Sequence, residues 1–329
     1  MRMNWNVFIT RRIPQPGIDL LLKHCSRVDI NPEDRVLTKT ELLQNVKGRD
    51  GVLCLLTDTI DEEILEAARD AKIFANHAVG FNNIDVEAAT RCGIMVTNTP
   101  GVLTDATADL TWALIFTVAR RIVESDNFTR SGKYRGWGPM LLLGESVTGA
   151  TLGIVGAGRI GTAVAMRSVG FGMKVIYTDT IRNETLEKTL KAKRVHLDAL
   201  LTQSDFISLH VPLLPETTHL ISTRELGLMK KTAFLVNTCR GPVVDERALV
   251  NALRSGEISG AGLDVYENEP QLEPGLKELK NVVLLPHIGS ATVEARTKMA
   301  VMAAENLIAA LRGQMPPNLV NPKVLEKME

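Results

Sequence analysis

The chain has 329 residues, room for two domains of about 150 residues each. Its 38 Lys and Arg balance its 38 Asp and Glu, and zero net charge argues against a nucleic-acid or membrane-surface protein, which usually carries a basic excess. No apolar run approaches the ~18 residues of a membrane span, and MRMNWNVFIT has neither a signal-peptide core nor a transit-peptide pattern, so a cytoplasmic protein is expected.

Apolar and β-branched runs predict strands over Val7–Thr10, Gly51–Leu55 and Ile73–Asn76, with a helix over Asp61–Arg69. Thr99-Pro100-Gly101 then makes a turn, and Thr104 or Asp105 can cap a long helix reaching about Ser131. The Gly-rich SGKYRGWGPMLLLGESVTG follows; its Trp137 and Met140–Leu143 suit either a subunit contact or packing onto their own domain. A second block predicts strands over Thr151–Val155, Lys174–Tyr177, Phe206–Leu209, Ala233–Val236 and Val282–Leu285. Its helices fall over Arg159–Val169, Asp245–Arg254 and Ser290–Arg312. Such alternation means an α/β fold, parallel sheets with helices on both faces. Cys25, Cys54, Cys92 and Cys239 are scattered without metal-ligand spacing, so reduced thiols and no metal are expected.

The stretch TLGIVGAGRIGTAVAMRSVGFGMKVIYTD places Gly156-Ala157-Gly158-Arg159-Ile160-Gly161 after an apolar strand and at the start of a helix. Gly156 suits the tight turn, Gly158 a close approach of backbone to a pyrophosphate, and Gly161 close helix–strand packing. The helix start offers free N–H groups to phosphate. A second strand ends at Asp179, whose carboxylate can accept the ribose hydroxyls and repel a 2′-phosphate. NAD is therefore expected and NADP less so, with Arg182 the one residue that could receive that phosphate.

Farther along, Arg240 follows the buried run LVNTC at what should be the carboxyl edge of a parallel sheet, where such folds bind ligands. Its planar fork suits a carboxylate, although a structural ion pair is equally compatible. Asp264 ends another strand, and Glu267 and Glu269 follow before a proline; taken alone these two read as solvated loop acids. His287, in LLPHIGSAT, is either a hydrogen-bonded core histidine or a proton-transfer group.

In order and spacing, GIVGAGRIG…YTD, SDFISLHVPLLPETTHLIS, LVNTCRGPVVDERAL, GAGLDVYENEP and LLPHIGSAT resemble the D-isomer-specific 2-hydroxyacid dehydrogenase family over essentially the whole chain. GVLCLLTDTID, VTNTPGVLTDATADLTWALI and GWGPMLLLG look most like its glyoxylate/hydroxypyruvate reductase (glycerate dehydrogenase) branch. The resemblance implies two doubly wound domains with a cleft between them. A flavodoxin-like substrate domain would take residues 1–101 and 291–329, and a Rossmann domain 102–290. It implies His287 as general acid, Glu269 as its carboxylate partner and Arg240 as substrate anchor. Leu56 and the backbone of Val79 and Gly80 would complete the substrate site. Val211, Pro212 and Thr217 would flank the adenine and phosphates, and Thr238, Asp264 and Gly289 the nicotinamide. His77, His210 and Cys239 read as structural.

The implied reaction interconverts a small 2-keto acid and its D-2-hydroxy acid, glyoxylate/glycolate or hydroxypyruvate/D-glycerate, in a homodimer. Phosphite, phosphoglycerate and D-lactate dehydrogenases are the alternatives within the family, and an NADH-sensing corepressor-like protein the alternative outside enzymes. Asn82 and Asp109 depart from the family's usual Asp and Glu, and Leu141 stands where some hydroxypyruvate-preferring reductases have tryptophan.

Overall fold

A computed structural model describes residues 3–327. Residues up to Leu103 and from Ala291 onward form one unit, and Thr104–Ser290 a second. The first runs β1 (Met3–Ile9), α1 (Gln15–His24), β2 (Cys25–Ile30), α2 (Lys39–Val46), β3 (Gly51–Cys54), α3 (Glu62–Ala67), β4 (Ile73–Asn76), α4 (Val86–Arg91) and β5 (Met95–Thr97). Its five strands are parallel in the order β2-β1-β3-β4-β5, the flavodoxin-like winding. Strands β3, β4 and β5 are buried along their whole length, and β3 and β4 read as largely apolar runs for that reason. Thr38, Asp61 and Asp85 start α2, α3 and α4 by accepting a backbone N–H three residues on.

The second unit runs α5 (Thr104–Ala119), α6 (Ile122–Arg130), β6 (Thr151–Val155), α7 (Arg159–Arg167), β7 (Lys174–Thr178), α8 (Glu184–Leu190) and β8 (Lys193–Arg194). It continues with α9 (Leu197–Gln203), β9 (Phe206–Leu209), α10 (Thr223–Leu228), β10 (Phe234–Asn237), α11 (Glu246–Ser255), β11 (Gly260–Leu263) and β12 (Val282–Leu284). Seven parallel strands lie in the order β12-β11-β10-β9-β6-β7-β8. Strand order reverses between β6 and β9, the switch point at which such sheets open a ligand crevice.

The chain then returns to the first unit with α12 (Val293–Leu311), capped by Thr292. Its Ala300, Ala303, Ala304 and Leu307 join Ile18 and Leu21 of α1 over Ile9, Leu53, Ile73 and Met95 of the sheet. The opposite face carries Phe8, Val52, Phe74 and Val96 beneath α2, α3 and α4.

Two expectations need correction, and several elements were not expected. The helix expected to run unbroken to Ser131 stops at Ala119, because Arg121 is left-handed (φ 54°) and the Ala119 carbonyl accepts the Glu145 N–H at 2.9 Å. Gly144 is required at that crossing, since a Cβ there would stand 2.3 Å from the same oxygen. The helix expected over Arg159–Val169 ends at Arg167 and tightens into a 3₁₀ turn, Ser168–Phe171. Strands β2, β5 and β8 and the short helices α1, α2, α4, α8, α9 and α10 have no counterpart among the expected elements, their apolar patterns being half-exposed or very short.

Candidate active site

Each strand of the second sheet from β12 to β7 delivers a predicted site residue at its carboxyl end: His287 after β12, Asp264 after β11, Thr238 and Arg240 after β10. Val211 and Pro212 follow β9, Gly156 follows β6 and Asp179 follows β7. Parallel winding is what brings these sequence-distant positions to one edge.

The glycine loop has the shape its spacing suggests. Gly156 has φ 91°, and a Cβ on it would lie 2.7 Å from the His210 carbonyl carbon across the switch point. A Cβ on Gly161 would lie 2.0 Å from the Gly156 oxygen, so α7 can start this close to β6 only with glycine there. At Gly158, its chain neighbours apart, no described residue has an atom within 4 Å of where a Cβ would stand. Arg159 and Gly158 are exposed, and Ile160 is half-buried. This open helix start fits the pyrophosphate of a dinucleotide.

Asp179 accepts the Ala157 N–H (2.7 Å) and the Ile181 N–H (3.0 Å), which fixes its carboxylate beside the loop. Arg182 does not reach it: its guanidinium is paired with Glu187 at 2.5 Å. Thr217 accepts the Leu214 N–H and donates to the Pro212 carbonyl, pinning the Val211–Thr217 turn. Thr238 shares a buried 2.9 Å hydrogen bond with Thr111.

His287 and Glu269 meet: Nδ1 lies 2.9 Å from Glu269 Oε2, with about 26% and 32% of the side chains exposed. The other Glu269 oxygen accepts the Tyr266 N–H at 3.0 Å. Burial opposes ionisation of Glu269, but the hydrogen bond and charge of His287, the Tyr266 N–H and the nearby Arg240 outweigh it. The carboxyl is held below its usual range. His287 itself has φ 55°, a conformation that costs a non-glycine residue ~1 kcal/mol or more and that clusters at functional sites. Asp264 imposes it, accepting the Ile288 and Gly289 N–H groups at 2.7 Å each, one on each carboxylate oxygen.

Arg240 is packed so that burial lowers its pKa from the usual range, while Cys239 and Glu269 act the other way. Its Nη1 donates to the Cys239 carbonyl at 2.6 Å. Asn237, buried at the end of β10, donates to the Arg240 carbonyl (2.9 Å) and accepts the Cys239 N–H (3.0 Å). Sequence reasoning missed this residue, although a lone asparagine closing an apolar strand is a signal. Cys239 is buried and its thiol is pushed up to about 11 by that burial, so packing is its role. Burial likewise drops His210 to about 3, and its Nε2 bonds Ser208 at 2.8 Å.

In the first unit, Leu56 is half-buried in the turn after β3, and Val79 and Gly80 are half-buried after β4. Their carbonyls are turned inward: Val79 O accepts from Asn98 (2.7 Å) and Gly80 O from Asn76 (3.0 Å), which also bonds Asn83. Among the described residues neither the Val79 nor the Gly80 N–H has a protein acceptor. The three asparagines are a further set that sequence reasoning missed. His77 is buried behind this loop and neutral, lowered to about 4 by burial and the charge of Arg296.

The second unit thus combines a dinucleotide-type loop, a histidine held by a carboxylate through Nδ1, and a largely buried guanidinium. A family model described as D-isomer specific 2-hydroxyacid dehydrogenase, NAD binding domain, matches residues 112–289. A glyoxylate reductase of Thermococcus litoralis is 53% identical over 327 residues, 98% of each chain. Among solved structures, the TT0316 protein from Thermus thermophilus is 46% identical, with a TM-score of 0.88 over 96% of this chain and 99% of that one. An NADPH-dependent glyoxylate/hydroxypyruvate reductase from Sinorhizobium meliloti, in complex with NADP and malonate, is 29% identical with a TM-score of 0.85, covering 98% of each.

Proposed function

The chain belongs to the D-isomer specific 2-hydroxyacid dehydrogenase family, and from this premise we propose that it reduces glyoxylate to glycolate, and hydroxypyruvate to D-glycerate, with NADH. The observation that carries the reading is the 2.9 Å contact between His287 Nδ1 and Glu269. With Nδ1–H committed to the carboxylate, Nε2 carries the proton that can be given away.

NADH, when bound, supplies the hydride to the keto carbon. Charge then develops on the keto oxygen, where the His287 imidazolium donates its Nε2 proton. Glu269 stabilises that imidazolium before transfer and fixes the ring plane. The guanidinium of Arg240 holds the substrate carboxylate and polarises the carbonyl. In the first unit, the Val79 and Gly80 N–H groups are proposed as further donors to the carboxylate, beside Leu56. The Asp179 carboxylate, with Arg182 tied to Glu187, favours NADH over NADPH.

We further propose a homodimer, supported by Trp137, Met140 and Leu143, which are 84%, 77% and 55% exposed; Trp137 does not fold onto its own unit. All four cysteines are free thiols, which supports a reducing, cytoplasmic setting.

Initial rates of NADH oxidation with glyoxylate, hydroxypyruvate, pyruvate and phosphohydroxypyruvate test the reading. A second charge would be desolvated without a partner, so phosphohydroxypyruvate should trail glyoxylate by about a hundredfold in kcat/KM, equivalent to ~2.7 kcal/mol. Phosphohydroxypyruvate as the best substrate would overturn the assignment.

A further inference from the structure

Two carboxylates on one loop each hold a histidine. Glu269 holds His287, and two residues earlier Glu267 Oε1 lies 2.5 Å from His219 Nε2. The second pair belongs to a closed ring of contacts around the turn that follows Arg240. The His219 N–H donates to the Pro242 carbonyl at 2.8 Å, from a left-handed backbone (φ 51°). Glu267 Oε2 accepts the N–H of Glu246 (3.2 Å), the first residue of α11, and the buried Glu246 carboxylate accepts the Glu267 N–H in return (2.7 Å). Between these groups sits Gly241, whose absent Cβ would overlap the Tyr266 carbonyl at 1.8 Å. Arg240 therefore leaves β10 into a turn gripped from the 219 side through Pro242 and wedged from the 266 side through Gly241.

As a stabiliser of the fold, the half-exposed His219–Glu267 pair is weak; surface pairs are worth about 0–1 kcal/mol. Its position is more informative than its strength, because it links the Arg240 turn to the loop that carries Glu269. We propose that His219, Glu267 and Glu246 form a clamp that sets the position of Arg240, with His219 and Glu267 as positioning residues for the reaction. This rests on the reading of Arg240 as the substrate anchor. A guanidinium displaced by about 1 Å loses its bidentate fit to a carboxylate, a loss that can reach two orders of magnitude in rate.

The test is a double-mutant cycle on the full-length enzyme with glyoxylate and NADH. Glu267→Ala and His219→Ala should each lower kcat/KM at least about tenfold, chiefly through KM, with NADH affinity by fluorescence titration unchanged. Glu267→Gln, which keeps one acceptor oxygen, should fall between Glu267→Ala and the unmodified enzyme. In an Arg240→Lys background, Glu267→Ala should have little further effect, because the group it positions is already gone. Retention of kcat/KM within about twofold by both alanine variants would overturn the clamp. So would an equal loss in the two backgrounds, or a parallel loss of NADH affinity. Should Glu267→Ala fail to fold, His219→Ala carries the cycle, its ring being 43% exposed. Arg240→Lys alone reads the underlying assignment: wild-type kcat/KM in that variant sinks the anchor reading itself, whereas a damaged Arg240→Lys with intact alanine variants sinks only the clamp.

Discussion

Replacing Glu269 with Gln should move the pH profile of keto-acid reduction toward acid, by an amount the local geometry sets. In the native site one carboxylate oxygen faces His287 Nδ1 at 2.9 Å and the other accepts the Tyr266 N–H at 3.0 Å. An amide has a single acceptor oxygen, so it can serve one of these donors, and in neither case does the imidazolium keep the Glu269 charge. A hydrogen bond to a charged group is worth about 1.5–3 kcal/mol against about 0.5–1.5 for a neutral one. Both side chains are partly solvated, so the lower end applies and the loss is about 1 kcal/mol. At about 1.36 kcal/mol per tenfold in rate, kcat/KM for reduction should fall roughly fivefold. The sign follows from the protonation state each direction needs. Reduction uses the imidazolium, which a carboxylate partner favours, so in the variant the loss of activity on raising pH begins at lower pH. Oxidation of the hydroxy acid uses the neutral ring, so its rising limb should shift the same way. Glu269 itself is held ionised below the usual carboxyl range and does not supply the limb. The assay is kcat/KM against pH in both directions, and unmoved profiles, or opposite shifts in the two directions, would refute the pairing.

Changing His287 to Asn should lower kcat by at least ~10²-fold while NADH binding, followed by fluorescence, stays intact; a variant with most of its kcat would return His287 to a packing role. Asp179→Ala should narrow the preference for NADH over NADPH in kcat/KM, and an unmodified enzyme that already prefers NADPH would show that the Arg182–Glu187 pair opens to a 2′-phosphate. Gly161→Ala should cost ~1–3 kcal/mol in thermal or denaturant unfolding and weaken NADH binding, since its methyl would meet the Gly156 oxygen at 2.0 Å; unchanged stability and affinity would show that α7 can move away from β6.

What the sequence made legible is what depends on near neighbours. The glycine loop, its flanking strands and Asp179 form one short unit whose backbone demands glycine at fixed places. Buried parallel strands such as β4 and β9 announce themselves as apolar runs. The break at Ala119 was not legible, because the Glu145 N–H that ends the helix comes from another stretch of chain. Glu267 reads as a solvated acid until the fold brings up His219, 48 residues away, and Asn76, Asn98 and Asn237 declare themselves only once the carbonyls they serve are placed. Glu269 and His287 were paired by resemblance to a family, not by any pattern that composition or periodicity could supply.

The return of the chain to its first unit has a consequence for how the protein is made. One face of the five-stranded sheet is covered by α1 alone until α12 arrives, and α12 is synthesised only after the whole of Thr104–Ser290. Asn321 then caps the same sheet, accepting the Val96 N–H and donating to the Ile94 carbonyl. Ile73, Ala75 and Met95 therefore wait, uncovered on that face, while all of Thr104–Ser290 is translated. The continuous second unit has every one of its strands in hand before that wait is over, so the order of completion on the ribosome is the reverse of the order of translation.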